Sequence, residues 1–197
     1  MKLARIVSTI LMMATGVAEA IAGPADGVGA GSSFLDGVLH PWFGIDHLLA
    51  TLAIGLLVVH VEKGSIIAVP LVFLSSMMAG AGLSGSGIWL PWVEPVVAIS
   101  VVVVGTALVS GRRFPEVLLA VVAAVIGVFH GYAHGTGTPL GSLPLAFLTG
   151  LLLGATLLLA LGIWIGHWIE PTSKVSRGIG VVILLGGLAL VVSQFFS

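Results

Sequence analysis

Apolar and charged positions along this chain separate into long blocks. Asp, Glu, Lys and Arg are absent from residues 64–93, 95–111, 117–168 and 178–197. Within the blocks apolar residues run all round, with no period-two alternation, which predicts helices rather than half-buried strands. A helix that crosses a bilayer takes roughly 20 mostly apolar residues, so the block 117–168 must hold two crossings. Six hydrophobic segments follow, near residues 34–61, 65–83, 91–110, 116–134, 143–169 and 176–196. The predicted fold class is an all-α membrane protein, a bundle of about six transmembrane helices after an N-terminal signal peptide.

Composition narrows the picture further. The chain is 58% hydrophobic and 8% charged, with a mean hydropathy of +1.22, whereas soluble domains carry about 25% charged residues. The formal net charge of -1 offers no attraction for nucleic acid or for an acidic partner. The absence of cysteine excludes disulfides, zinc–thiolate sites and thiol catalysis. The 28 glycines suit close helix contact in lipid, and Gly150/Gly154 and Gly162/Gly166 have small-xxx-small spacing.

The N-terminus reads as a targeting segment. Lys2 and Arg5 precede a short apolar run at 6–15, and Ala18-Glu19-Ala20 or Ala20-Ile21-Ala22 fits a signal-peptidase site. The expected organisation is a signal peptide at 1–22 (or an uncleaved N-terminal helix), a periplasmic leader at 23–33 and a six-helix transmembrane domain at 34–197. If the mature start lies outside, Lys63, Arg112, Arg113, Lys174 and Arg177 all fall on the cytoplasmic side, as the positive-inside rule requires. The expected location is the bacterial inner (cytoplasmic) membrane, multi-pass, with a periplasmic C-terminus.

Ionisable residues inside a membrane are costly and mark function by default. The first group is His40-Pro41-Trp42-Phe43-Gly44-Ile45-Asp46-His47. It follows Ser33-Phe34-Leu35-Asp36, whose spacing fits a capping box. In a continuous helix His40 and His47 lie two turns apart on one face, while Pro41 and Gly44 are placed to kink it. The second group is Phe129-His130-Gly131-Tyr132-Ala133-His134-Gly135, with His130 and His134 one turn apart. The charge-derived topology puts both groups, and Glu94, in the outer half of the bilayer. The candidate metal ligands are therefore His40, Asp46, His47, Glu94, His130 and His134, a mixed N/O set suited to Ni, Co, Cu or Zn. No residue is assigned a catalytic role. His60 and His167 read as interhelical hydrogen-bonding groups, Tyr132 and Trp42 as members of the interfacial aromatic belt, and Met77 and Met78 as core filling.

At these residues the chain resembles the HupE/UreJ family of nickel/cobalt permeases. The shared features are His-Pro-x-x-Gly-x-Asp-His-Leu-Leu-Ala at 40–50, Val93-Glu94 before Ile99-Ser100-Val101-Val102-Val103-Val104-Gly105, and the motif at 129–135. The resemblance implies secondary uptake of Ni²⁺ or Co²⁺, with Zn²⁺ behind them, as cargo rather than cofactor. It implies the lipid bilayer and the metal ion as partners, with a second copy of the chain or a metalloenzyme maturation machinery as further candidates. Thr51, Gly137 and Leu159 stand where the family usually has Met, an acidic residue and His. Each substitution removes a metal-ligating group. Two other classes fit the residues: a membrane-embedded metal-dependent hydrolase, with Asp46 or Glu94 as general base, and a non-transporting accessory protein that hands metal on.

The topology is directly testable because the chain contains no cysteine. In intact spheroplasts, a membrane-impermeant thiol reagent is expected to label a cysteine placed at 137 and to spare one at 112 or 174. The reverse pattern would invert the assignment.

Overall fold

The computed structural model describes residues 30–136 and 144–195. These residues form α1 (Ala30–Phe43), α2 (Ile45–Val58), α3 (Ala68–Gly85), α4 (Val93–Ser110), α5 (Glu116–Thr136), α6 (Pro144–Trp168) and α7 (Lys174–Ser193). The protein is thus an all-helical membrane protein. Helices α3 to α7 are each long and apolar enough to cross a bilayer, with mean hydropathy from 1.5 to 2.2. Helices α1 and α2 pass the same test only as a pair, bent by 78°. The expected signal peptide at 1–22 and most of the leader lie outside the described residues.

Local chemistry explains most of the boundaries. Gly111 ends α4 in the left-handed region (φ 62°), the conformation that a helix C-terminus most often borrows from glycine. Proline opens α6 at its first position and directly precedes α5, where its missing amide costs nothing. Ser173 caps α7 by accepting the Ser176 amide (3.1 Å). The expected capping box does not form. Helix α1 begins at Ala30, so Ser33 and Asp36 both lie inside it, and the leader at 23–33 gives up its last four residues to that helix.

Lipid offers no hydrophobic drive to hold helices together, so association rests on close packing. Glycine supplies it in three pairings. Helices α1 and α2 both pack along α6 in the same chain sense: Gly37 faces the Phe147 carbonyl, Gly150 faces Phe34, and Gly154 faces Val38 and Pro41. Further along, Gly55 faces Leu159 and Gly162, and Gly166 faces Leu56 and Val59. Helices α3 and α5 are likewise parallel, with Gly80 against Val128, Gly127 against Phe73 and Gly131 against Met77. Helices α4 and α7 are antiparallel, joined through Gly105 on Leu184, Gly180 on Val109 and Gly187 on Val102. In many of these contacts the glycine Cα points at a carbonyl oxygen of the neighbouring helix, the arrangement of a Cα–H···O contact. Both small-xxx-small pairs read from the sequence lie in the seam with α1 and α2.

Between and across the pairs sits one apolar core that includes Ala50, Ala53, Phe73, Met77, Val101 and Leu159. Met77 is buried there and Met78 is exposed, so only the first fills the core. One end of the bundle carries the charged turns. The Glu62 amide donates to the Phe114 carbonyl (3.0 Å), and the Phe114 amide donates to the His60 carbonyl (2.8 Å). The Glu116 carboxylate accepts the Ser65 amide (3.1 Å). His60 is 2% exposed, its Nδ1 donates to the Leu56 carbonyl (3.1 Å), and its Nε2 faces Ser176 at 3.5 Å. That contact joins the end of α2 to the start of α7, the interhelical role expected for His60. His167 differs: it is exposed and packs on Trp168.

The glycine seams predict an asymmetric response to added methyl groups. A Cβ on Gly162 would collide with the Leu52 carbonyl and the Gly55 backbone, whereas one on Gly82 would meet open space. Gly162→Ala is expected to destabilise the detergent-solubilised bundle by about 1–3 kcal/mol, the usual cost of overpacking. Gly82→Ala should be neutral or stabilising by up to about 1 kcal/mol through helix propensity. Unfolding of the two variants side by side measures the difference.

Candidate metal centre

The site is built around a break in the chain. Pro41 has no amide to give the Gly37 carbonyl, which weakens the last turn of α1. Gly44 then adopts an extended conformation (φ -76°, ψ 108°) as the N-cap of α2. Its amide still reaches the His40 carbonyl (3.3 Å), and its carbonyl accepts the Leu48 amide (2.7 Å), so the corner leaves few backbone groups unpaired. His40 and His47 therefore do not share the face of one continuous helix. They stand on either side of a bend, one in the last turn of α1 and the other in the first turn of α2.

The bend brings both histidines to α5. His40 packs against His134 with ring centroids 4.9 Å apart, His134 against His47 at 4.1 Å, and His47 against His130 at 4.8 Å. The four imidazoles form a row with a phenyl ring at each end, Phe147 beside His40 (5.4 Å) and Phe73 beside His130 (6.4 Å). His130 and His134 are 1% and 2% exposed. The row lies toward the end of the bundle opposite the charged turns, since His47 opens α2 while His60 follows its last turn.

Asp46 orients the centre of the row. Its Oδ1 accepts the His47 Nδ1–H (2.6 Å) and the His47 backbone amide (2.8 Å). Carrying its proton on Nδ1, His47 presents an Nε2 lone pair. His130 reaches the same tautomer by another route, its Nδ1 donating to the Ile126 carbonyl one turn back (3.0 Å). Among the described residues, His47 Nε2 and His130 Nε2 are buried and have no hydrogen-bond partner. Such orphaned acceptors are costly, and two neutral imidazole nitrogens in neighbouring rings are donors of the kind that bind divalent transition metals.

The site is not a finished coordination shell. Among the described residues no three His, Asp or Glu side chains already surround one point. The two outer ring pairs meet edge to face and the middle pair, His47 and His134, is tilted at 51°, so an ion would have to turn their nitrogens toward a common centre. Of the six expected ligands, the structure gathers His40, Asp46, His47, His130 and His134. Glu94 lies exposed in the first turn of α4, outside the row. Tyr132 departs from its expected place in the aromatic belt: it is 8% exposed, and its hydroxyl donates to the Ile88 carbonyl (2.9 Å) and accepts the Leu90 amide (3.2 Å). Only an aromatic residue between two histidines signalled this in the sequence, and its partners lie more than 40 positions away.

Fold and site together define a polytopic helical membrane protein with a histidine cluster inside the bundle. The sequence matches the profile of the family described as HupE / UreJ protein over residues 9–190. It is also 31% identical over 196 residues to Protein HupE of Rhizobium leguminosarum bv. viciae, covering 98% of this chain and 100% of that protein. The chain belongs to the HupE/UreJ family. No solved structure matches it.

The Asp46–His47 pair makes a quantitative prediction. Asp46→Ala removes the acceptor that fixes the His47 tautomer, and loss of such an orienting partner typically lowers metal affinity by about 10- to 100-fold. If the row takes a divalent metal, Ni²⁺ titration of the purified protein is expected to show a loss in that range, while Glu94→Ala, exposed and outside the row, remains close to wild type.

Proposed function

We propose that this protein is a secondary permease for a divalent transition metal, Ni²⁺ or Co²⁺ before Zn²⁺, with the histidine row as its outward-facing binding site. The observation that carries the reading is the pair of buried, unpartnered nitrogens, His47 Nε2 and His130 Nε2, in adjacent rings. Family membership supports it, as does the placement of so many costly polar groups at one depth of an apolar bundle.

On this reading the ion enters from the end of the bundle away from the charged turns. His47 and His130 supply the first nitrogens, and His40 and His134 extend the donor set along the row. Asp46 offsets part of the divalent charge in a low-dielectric place and holds His47 in the tautomer that leaves Nε2 free. Release on the far side requires the ion to pass the packed apolar core below the row, so it depends on the helix pairs moving relative to one another.

Uptake of radiolabelled Ni²⁺ by cells or proteoliposomes tests the proposal. Ala variants of His40, Asp46, His47, His130 or His134 are expected to lose most uptake while still inserting, and His60→Ala and His167→Ala to keep it. The pH dependence has a definite sign. Imidazole, with a reference pKa of about 6.5, ligates only when neutral, so acidification removes lone pairs and weakens binding. Affinity should therefore fall as the pH falls, and more steeply than one proton per ion wherever several imidazoles of the row gain protons together. Absence of Ni²⁺, Co²⁺ and Zn²⁺ uptake by a correctly inserted protein would sink the permease reading.

A further inference from the structure

Helix α5 is gripped at its outer end from three directions. Gly131 and Gly135 seat it on α3, against the Met77 carbonyl and Ser84. His130 and His134 face the rings of His47 and His40. Tyr132 lies two residues from each histidine, about 200° around the helix, and so projects from roughly the opposite side. There its hydroxyl uses both its donor and its acceptor capacity on one segment, the turn at 86–92 between α3 and α4.

That turn has unusual ends. Gly87 (φ 75°) and Trp92 (φ 62°) both occupy the left-handed region, and among the described residues Trp92 is the one non-glycine residue with positive φ. A bulky residue holds such a conformation only where its surroundings impose it. Ile88, Trp89 and Trp92 are exposed, so the turn has few side-chain anchors in the bundle. The two bonds to Tyr132 tie its middle to α5.

We propose that Tyr132 is a positioning residue for the histidine row: by pinning the 86–92 turn to the back of α5, its hydroxyl fixes the rotation of that helix and holds His130 and His134 against His47 and His40. The consequence for metal handling rests on the permease reading, but the positioning itself does not. Without the hydroxyl the tie is lost, α5 gains rotational freedom at its outer end, and the two histidines leave their buried places more often.

The test uses the full-length, metal-free protein in detergent. Wild type and Tyr132→Phe are treated with diethyl pyrocarbonate, and modification of each histidine is followed by mass spectrometry. The variant is expected to show several-fold faster modification at His130 and His134, with no change at His60, which is equally buried at the other end of the bundle. Unchanged rates at His130 and His134 would overturn the proposal. So would an equal rise at His60, which would mean that the substitution merely loosens the whole fold. No metal enters the measurement, so its outcome is separate from whether the protein carries Ni²⁺.

Discussion

Within lipid, two helices gain nothing by hiding apolar side chains from each other, and what remains is contact distance. Glycine sets that distance in this protein. Where Gly37, Gly55, Gly80, Gly105, Gly131, Gly150 or Gly187 meets a neighbour, the nearest partner atom is backbone, and a single methyl group would force the helices apart. The positions of the side chains between them follow from this closeness. Were α3 and α5 an ångström or two further apart, α5 would carry His130 and His134 to a different place relative to α2. The polar row at the centre of the bundle depends on contacts made by residues that have no side chain.

The break at Gly44 answers a second constraint. Backbone polar groups inside a membrane must be satisfied, so a helix can be interrupted only where protein supplies the missing partners. Here the corner satisfies part of its own demand through the Gly44, His47 and Leu48 amides, and the half-buried N-terminal end of α2 is turned to use. Asp46 sits in its first turn, where the aligned peptide dipoles favour a carboxylate. The same carboxylate fixes the His47 ring. Proline, glycine and aspartate within six positions thus convert a spanning segment into a corner with a charged, oriented donor.

Much of this was legible in the sequence, for reasons tied to particular residues. The long charge-free blocks gave the spanning helices, because few alternatives tolerate 52 residues without a charge, as at 117–168. The i, i+4 spacing of His130 and His134 survived intact because α5 is regular there. The face shared by His40 and His47 did not, since helical periodicity assumes continuity and Pro41 with Gly44 removed it; both residues were visible, but not the angle. Ser33 was misplaced as a cap because the helix starts earlier, among small residues that carry no start signal. Glu94 and Tyr132 show the limit of reasoning by depth. Residues at one level in a bilayer can point in any direction around their helices, and only tertiary packing sent Tyr132 inward and Glu94 outward.

The three glycine-welded pairs also divide the molecule mechanically. Helices α1, α2 and α6 form one unit, and α3 and α5 form another, each locked by interdigitated backbone. The imidazole row crosses the joint between them, with His40 and His47 riding on the first unit and His134 and His130 on the second. A ligand bonded to both sides of a joint acts as a rivet. Any slip of one unit past the other lengthens every bond that crosses, so the strength with which such a ligand is held becomes a direct readout of how the two halves of the machine are aligned.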